Sequence, residues 1–164
     1  MQYRPGRKED LDEIVRLVGK AIEHMERQGI YQWDKYYPAK EHFIDDIDKD
    51  SLYVAVEDDK IIAVYVINQE CDEEYHEWEW KNPQESACII HRFCVSPDHQ
   101  NRGIGSEVLS HIEEQAKSLG YSSIRLDVFS NNPSALRLYE KNGYEKRGYA
   151  DFRKGRFYLM EKTL

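Results

Sequence analysis

The amino-acid sequence predicts a single α/β domain over residues 1–164, with a mixed sheet and helices packed on both of its faces. Three observations support this fold class. Helical apolar spacing alternates along the chain with strand-like apolar runs, no Pro-, Gly- or Ser-rich linker divides the chain, and no internal repeat is present. The predicted order is two helices, a β-meander, and then strand, helix, strand, helix and two strands.

Four stretches place apolar residues at the i, i+3 and i+4 spacing of an amphipathic helix. Glycine follows three of these stretches, and glycine readily adopts the left-handed backbone with which many helices end. The predicted helices cover residues 11–25, a short segment after Pro38 that includes 43–47, residues 104–119 and residues 133–141.

Continuous or alternating apolar runs between the helices predict strands. The turn residues 58–60 join the first two runs, and a turn at 154–155 separates two short strands in the tail. The residues before Leu11 form only a short lead-in. The predicted strands cover residues 52–56, 61–67, about 87–95 and 124–128, followed by two in the segment 144–164.

The net charge, the apolar runs and the cysteines of the sequence argue against several classes of binding partner and location. The formal net charge of −8 disfavours a nucleic acid or an anionic membrane surface. No apolar run approaches the ~20 residues that span a bilayer, and the N-terminus lacks the apolar segment of a signal peptide. Three cysteines without a CxxC pair (Cys71, Cys88 and Cys94) argue against a disulfide framework or a zinc site. The sequence therefore predicts a cytoplasmic protein without a metal.

A glycine-rich turn follows the apolar strand 91–95 and leads directly into a helix. Gly103 and Gly105 lack the Cβ atoms that would hold a ligand away from the backbone. Amides at a helix start lack partners within the helix and carry the positive end of its dipole. The segment therefore predicts a phosphate or pyrophosphate site. Its spacing fits neither a Walker loop nor a dinucleotide-binding fingerprint.

Two motifs in this order resemble those of one enzyme family. Gln-x-x-Gly-x-Gly at 100–105 resembles the acetyl-CoA signature of the GNAT N-acetyltransferase superfamily, and 132–144 resembles its N-x-x-A-x-x-L-Y-x-K-x-G-[FY] segment. The element order resembles the GNAT fold from Tyr3 to about Leu159, with Ala63 standing where a glycine is usual. The resemblance implies a mixed, mostly antiparallel sheet of six to seven strands flanked by about four helices. It also implies acetyl transfer from acetyl-CoA to a primary amine, by direct attack in a ternary complex.

The resemblance assigns cofactor contacts by position. Backbone amides at 102–106 would hold the CoA pyrophosphate, and the backbone at 93–95 would pair with the pantetheine arm like an added strand. Asn132 would bond the same arm, although its side chain could instead only cap the following helix. The implied cofactor-binding residues are Phe93, Cys94, Val95, Gln100, Asn101, Arg102, Gly103, Ile104, Gly105, Ser106, Asn132 and Ala135.

Acetyl transfer also needs a polarised carbonyl and a proton for the leaving thiolate. The resemblance places the Tyr139 hydroxyl near the thioester sulfur, where a phenol can act as the general acid. Tyr139 could instead be a core aromatic on the inner face of its helix. An N–H at Cys94 or Val95 would polarise the carbonyl. An acetyl-cysteine intermediate at Cys94 is disfavoured, because no histidine is placed in sequence to activate the thiol.

The general base has three candidates. His91 lies two residues before Phe93, so strand alternation places both side chains on one side, and imidazole titrates in the required range. Within the GNAT superfamily that the sequence resembles, a histidine at the matching strand position is a base candidate in the arylalkylamine acetyltransferase branch. His91 could also be a strand histidine held by a neighbouring acid. The carboxylates Glu79 and Glu85 are the alternatives.

Two segments are candidates for choosing the acceptor. Residues 31–37 contain four aromatic residues, and 70–80 contain six acids and three aromatics. In the GNAT fold both segments border the acceptor entrance, and such residues suit a cationic amine with an apolar body. The candidate substrate-binding residues are Trp33, Tyr36, Glu79 and Glu85. The alternative is a solvated acidic loop whose aromatics cover the core or form a dimer seam.

The predicted acceptor is a small-molecule or peptide amine, and the chain is expected to be a monomer or a homodimer. A second class of function fits the same cradle, namely a non-catalytic acyl-CoA-binding regulatory module. Binding of acetyl-CoA without turnover of any amine would distinguish this module from an enzyme.

Overall fold

Seven strands and four α-helices make up the computed structural model, which describes residues 1–164. The strands are β1 (Gln2–Pro5), β2 (Leu52–Glu57), β3 (Lys60–Asn68), β4 (Ala87–Val95), β5 (Ser123–Phe129), β6 (Glu145–Phe152) and β7 (Gly155–Thr163). The helices are α1 (Leu11–Arg27), α2 (Lys40–Asp48), α3 (Ile104–Ser118) and α4 (Pro133–Lys141). None of these helices is both long and apolar enough to cross a bilayer.

The strands form one sheet in the order β1-β2-β3-β4-β5-β7-β6. The pairs β1–β2, β2–β3, β5–β7 and β6–β7 are antiparallel, and β4–β5 is parallel. This arrangement confirms the predicted mixed, mostly antiparallel sheet with four helices. The predicted helices and strands are also confirmed to within a few residues, whereas β1 had been predicted as a lead-in without regular structure.

The chain divides into two compact units. The first unit comprises Met1–Ile67 and His91–Val108, and the second comprises Asn68–Ile90 and Leu109–Leu164. Strand β4 and helix α3 therefore contribute residues to both units. The single domain expected over the whole chain stays a prediction.

The core of the first unit lies where α1 and α2 pack against β2 and β3. Helix α1 buries the residues of its apolar stripe: Leu11, Ile14, Leu17, Val18 and Ala21. Phe43 of α2 and Val54 and Val64 of the strands complete this core at 0–1% exposure. Each such side chain contributes about 1.5–3 kcal/mol relative to an exposed one. On the opposite face, Tyr53 stacks on its strand partner Tyr65 with ring centroids 5.6 Å apart.

The second unit buries a smaller cluster formed by Tyr75, Ile89, Ala150 and Leu159. These residues come from the β3–β4 connection and from strands β4, β6 and β7. Trp78, Trp80 and Phe152 pack against the cluster and remain partly exposed. The segment that connects β3 to β4 therefore supplies aromatic side chains to the core of this unit.

Candidate active site

The turn between β4 and α3 has the backbone of an anion cradle. Asn101 and Gly103 have positive φ angles of 62° and 75°, which asparagine and glycine adopt more readily than other residues. A Cβ added to Gly103 would meet no atom within 4 Å, so the space beside this backbone is open. The turn fits a phosphate group that approaches the main chain closely.

Helix α3 begins in this turn and directs its N-terminus into the cradle. Its first helical hydrogen bond runs from the Glu107 N–H to the Gly103 carbonyl at 3.1 Å. The amides of Ile104 and Gly105 precede that bond and have no carbonyl four residues back within the helix. Such amides, together with the positive end of the helix dipole, favour an anion.

Gln100 and Ser96 hold the cradle to the sheet. The Gln100 side-chain Nε2 donates to the Val95 carbonyl at 3.1 Å, and the Ser96 N–H donates to the Ile62 carbonyl at 2.8 Å. Gln100 was predicted as a cofactor contact, and these bonds give its side chain a role in shaping the loop. The predicted cofactor residues at 93–95 and 100–106 all belong to the first unit.

Arg92 interrupts the regular backbone of β4, because its φ angle is +48°. Strict alternation of side chains requires extended backbone on both sides of a residue. The argument that places His91 on the same side as Phe93 and Val95 therefore does not hold across Arg92. His91 is half-buried, and its role as a base stays a prediction.

Cys94 is buried in the core of the first unit at 6% exposure. This burial raises the pKa of its thiol to about 12. A protonated, enclosed thiol is a poor nucleophile at neutral pH. The burial therefore argues against Cys94 as a nucleophile, whereas the contribution of its backbone stays a prediction.

The second motif forms the start and the body of α4. The Asn132 side-chain Oδ1 accepts a hydrogen bond from the Ala135 N–H at 3.2 Å, so Asn132 caps the helix. Pro133 occupies the first helical turn, where its missing N–H costs nothing. The helix cap had been the alternative to a cofactor contact, and it is present.

Tyr139 lies on the buried side of α4 at 8% exposure. Its ring meets that of Tyr144 edge to face, with centroids 5.6 Å apart. Burial, with a smaller contribution from the Asp127 carboxylate, raises the pKa of Tyr139 above the ordinary value of a phenol. The hydroxyl therefore stays protonated at neutral pH, as a general acid requires.

The acidic segment 70–80 is held to the second unit by its aromatic residues. The Tyr75 hydroxyl donates to Asp127 at 2.7 Å, and its ring stacks on Trp80 with centroids 5.6 Å apart. The Trp78 Nε1 donates to the Tyr149 carbonyl at 2.9 Å. These three aromatics cover the core, which is the alternative that the sequence had left open.

A buried carboxylate fixes the end of the same segment. Glu161 of β7 is 2% exposed and accepts hydrogen bonds from the N–H groups of Lys81 and Asn82 at 2.8 and 3.0 Å. Arg147 donates to it from β6 at 3.1 Å. The candidate bases Glu79 and Glu85 are both exposed on either side of this anchor.

The aromatic segment 31–37 contains exposed tyrosines on both sides of one half-buried tryptophan. Trp33 is half-buried and packs against the core of the first unit, whereas Tyr36 is 67% exposed. The Tyr37 hydroxyl accepts a hydrogen bond from Arg92 Nη1 at 2.9 Å. Of the two predicted acceptor contacts here, Tyr36 is therefore the accessible one.

An ion pair that the sequence analysis missed lies beside this segment. Arg92 Nε donates to Asp46 Oδ2 at 2.7 Å, and Arg92 Nη2 donates to Asp46 Oδ1. The two side chains are only 13% and 3% exposed. An arginine within an apolar strand was the one signal available in the sequence.

Comparisons with known proteins agree with the fold. A family model described as "Acetyltransferase (GNAT) family" matches residues 19–144. S-(2-succino)cysteine N-acetyltransferase from Bacillus subtilis (strain 168) is 25% identical over 166 residues, covering 99% of this chain and 96% of that protein.

Solved structures show the same likeness. A Staphylococcus aureus Mu50 protein assigned as an acetyltransferase is 33% identical, with a TM-score of 0.78 and 99% of both chains covered. PaiA N-acetyltransferase from Thermoplasma acidophilum, solved in complex with coenzyme A, shares the fold at 18% identity and a TM-score of 0.73, covering 99% of this chain and 98% of that one. The chain belongs to the GNAT acetyltransferase family and is an acyltransferase.

Proposed function

We propose that this protein transfers an acetyl group from acetyl-CoA to a primary amine by direct attack in a ternary complex. The open space beside the left-handed Gly103, at the N-terminus of α3, is the observation that carries the proposal. The relative from T. acidophilum supports the choice of donor, because its structure contains coenzyme A.

The cradle would hold the pyrophosphate through the amides at 102–106, among them those of Gly103, Ile104 and Gly105. Unpaired amides donate hydrogen bonds to the phosphate oxygens, and the positive end of the helix dipole attracts their negative charge. The backbone at 93–95 would pair with the amide-containing pantetheine arm. Asn132 and Ala135 are assigned to the same arm by the second motif.

Side chains of the protein would then donate one proton to the leaving thiolate and accept one proton from the amine. Tyr139 would donate its phenolic proton to the departing sulfur, whose developing negative charge provides the driving force for the transfer. An N–H at Cys94 or Val95 would stabilise the carbonyl oxygen as negative charge develops on it. His91 would accept the proton that the amine loses, with Glu79 and Glu85 as alternatives.

The acceptor would be a small-molecule or peptide amine. The B. subtilis relative acts, by its name, on an S-substituted cysteine, so the α-amino groups of such amino acids are the first class to test. The exposed Tyr36 and the exposed carboxylates of Glu79 and Glu85 would contribute to acceptor choice. Trp33 would support the same segment from the core side.

An amine panel that reads CoA release tests the proposal. The panel should contain S-substituted cysteines, unmodified amino acids, polyamines, arylalkylamines, aminoglycosides and peptides with a free N-terminus. We expect turnover of at least one class together with acetyl-CoA binding in calorimetry. Binding without any turnover would instead favour a non-catalytic acyl-CoA-binding module, and absence of binding would overturn the cofactor assignment.

A further inference from the structure

Arg92 joins three elements of the first unit through one guanidinium group. Its Nε and Nη2 bond both carboxylate oxygens of Asp46 in α2, and its Nη1 donates to the Tyr37 hydroxyl at 2.9 Å. Asp46 is 2% exposed, so the pair is withdrawn from water. A bidentate pair of this kind fixes the direction of the arginine side chain as well as its charge.

The same residue carries a backbone conformation that its side chain disfavours. A φ of +48° is strained for an L-residue other than glycine, asparagine or aspartate. Such a conformation persists only where the surrounding contacts determine it. Beside the pairing of β4 with its neighbouring strands, the hydrogen bonds of the Arg92 side chain are contacts suited to this purpose.

The φ angle of Arg92 sets the orientation of the peptide planes on its two sides. The plane that follows it carries the Phe93 N–H, and the chain then continues through Cys94 and Val95 into the cradle. A change at this angle would therefore rotate the backbone that is proposed to hold the pantetheine arm and the thioester carbonyl. Displacements of about 1 Å can lower a rate by about 10²-fold.

We propose that Arg92 is a positioning residue: its pair with Asp46 holds the left-handed turn of β4, and its bond to Tyr37 ties the segment 31–37 to the same group. This inference rests on the proposed function. One guanidinium would thus set both the backbone that receives the donor and the aromatic segment proposed to meet the acceptor.

Two double variants distinguish the effect of the backbone conformation at position 92 from the effect of losing the ion pair. Arg92→Gly and Arg92→Ala are each combined with Asp46→Asn, so that neither leaves a buried charge unpaired. Glycine accepts a φ of +48° without strain, whereas alanine does not. We expect the alanine variant to lose kcat about 10- to 100-fold and the glycine variant to retain several times more activity. Equal losses in the two variants would overturn the backbone half of the inference.

Binding provides a readout that needs no turnover. The Kd of acetyl-CoA should rise more in the alanine variant than in the glycine variant. Adenosine 3′-phosphate 5′-diphosphate keeps the pyrophosphate and lacks the pantetheine arm, so its Kd should be the same in both variants and in the parent protein. If this fragment does not bind the parent protein, the proposed cofactor site is wrong. If it binds and the two variants bind acetyl-CoA equally, only the positioning role is wrong.

The half concerning the acceptor segment is tested by Tyr37→Phe, which removes one hydroxyl from a residue that is 36% exposed. We expect a several-fold higher KM for the best amine of the panel, with kcat and acetyl-CoA Kd unchanged. The matched control is Tyr149→Phe in β6, which alters a tyrosine of similar exposure, 39%, outside the segment 31–37 and leaves the bond to Arg92 intact. A KM that does not change in Tyr37→Phe, or that changes equally in both variants, would contradict this half.

Discussion

The indole ring of Trp78 lies where a side chain on Gly148 would stand. A Cβ at position 148 would approach the ring carbon Cδ2 to 2.2 Å, a distance that the rigid indole cannot accommodate without moving. The same ring donates its N–H to the carbonyl of Tyr149, the next residue of β6, at 2.9 Å. The acidic segment is therefore attached to β6 by a ring that requires glycine beneath it.

Gly148→Ala should destabilise the protein by about 1–3 kcal/mol, because the added methyl group overpacks this contact. Gly19→Ala is the matched control, since a Cβ at Gly19 in α1 meets no atom within 4 Å. That change should stabilise the protein by about 0.5–1 kcal/mol through helix propensity. Urea denaturation measures both, and similar effects of the two changes would contradict the described contact.

Asp10 should make stability depend on pH. Arg4 donates two hydrogen bonds to its carboxylate at 2.7 and 2.9 Å, and these bonds, with one from the Arg7 N–H, lower the pKa of Asp10. A folded pKa below the unfolded value of about 3.9 means that folding favours the ionised form. This contribution is complete above about pH 5 and is lost as the pH falls through the folded pKa.

Asp10→Asn should therefore cost about 1–3 kcal/mol at pH 7, and the difference from the parent protein should shrink toward low pH. Thermal unfolding between pH 7 and the acid limit of folding measures the trend. A difference that stays constant over this range would show that the carboxylate charge does not stabilise the fold.

Gly103→Val and Gly105→Val should each abolish acetyl-CoA binding while the protein stays folded, because a branched side chain would block the approach of a phosphate to the backbone. Gly120→Val is the control for strain, since Gly120 also has a positive φ and open space but lies at the end of α3 away from the cradle. Calorimetry should show binding only in the control. Unchanged affinity in both cradle variants would remove the proposed pyrophosphate site.

Tyr139→Phe should lower kcat by about 10²-fold with little change in acetyl-CoA affinity, because it removes the proposed proton donor. Tyr144→Phe is the matched control: its ring packs against Tyr139, and its hydroxyl bonds Glu113 at 3.2 Å. The control should affect stability more than kcat. A kcat that stays within a factor of two in Tyr139→Phe would make Tyr139 a structural residue.

The pH profile of kcat/KM should identify the base. If His91 accepts the amine proton, the rate should rise with pH through a limb near the ordinary imidazole pKa, and His91→Ala should remove that limb. If Glu79 or Glu85 acts instead, the limb should survive the histidine change and disappear in Glu79→Gln or Glu85→Gln. A limb that survives all three changes would exclude the three candidates.

Local residue patterns were sufficient to predict most of the fold, including the glycine turn that leads into α3. The apolar stripe of α1 and the glycines at the start of α3 are both recognisable from a few neighbouring residues, because each pattern reflects a local packing or backbone requirement. Strand β1 was missed because its four residues include Arg4 and Pro5 and show no apolar alternation. Its strand conformation depends on pairing with β2, about fifty residues later in the chain.

The surroundings of the candidate site were less predictable for the same physical reason. The partners of Tyr75 and Trp78 are Asp127 and Tyr149, which lie more than fifty residues away in sequence. The left-handed Arg92 likewise pairs with Asp46, which lies in another element. No local pattern encodes such contacts, so the aromatic residues of 70–80 could be interpreted either as acceptor contacts or as core.

In the acidic segment 70–80, the residues that attach the segment to the core are different from the residues that carry its exposed charge. Tyr75, Trp78 and Trp80 hold the segment, whereas Glu73 and Glu77 are exposed to water. Substitutions at such exposed positions usually alter stability by no more than about 0.5 kcal/mol. The charge of this surface can therefore be varied one residue at a time without loss of the fold, whatever molecule the surface faces.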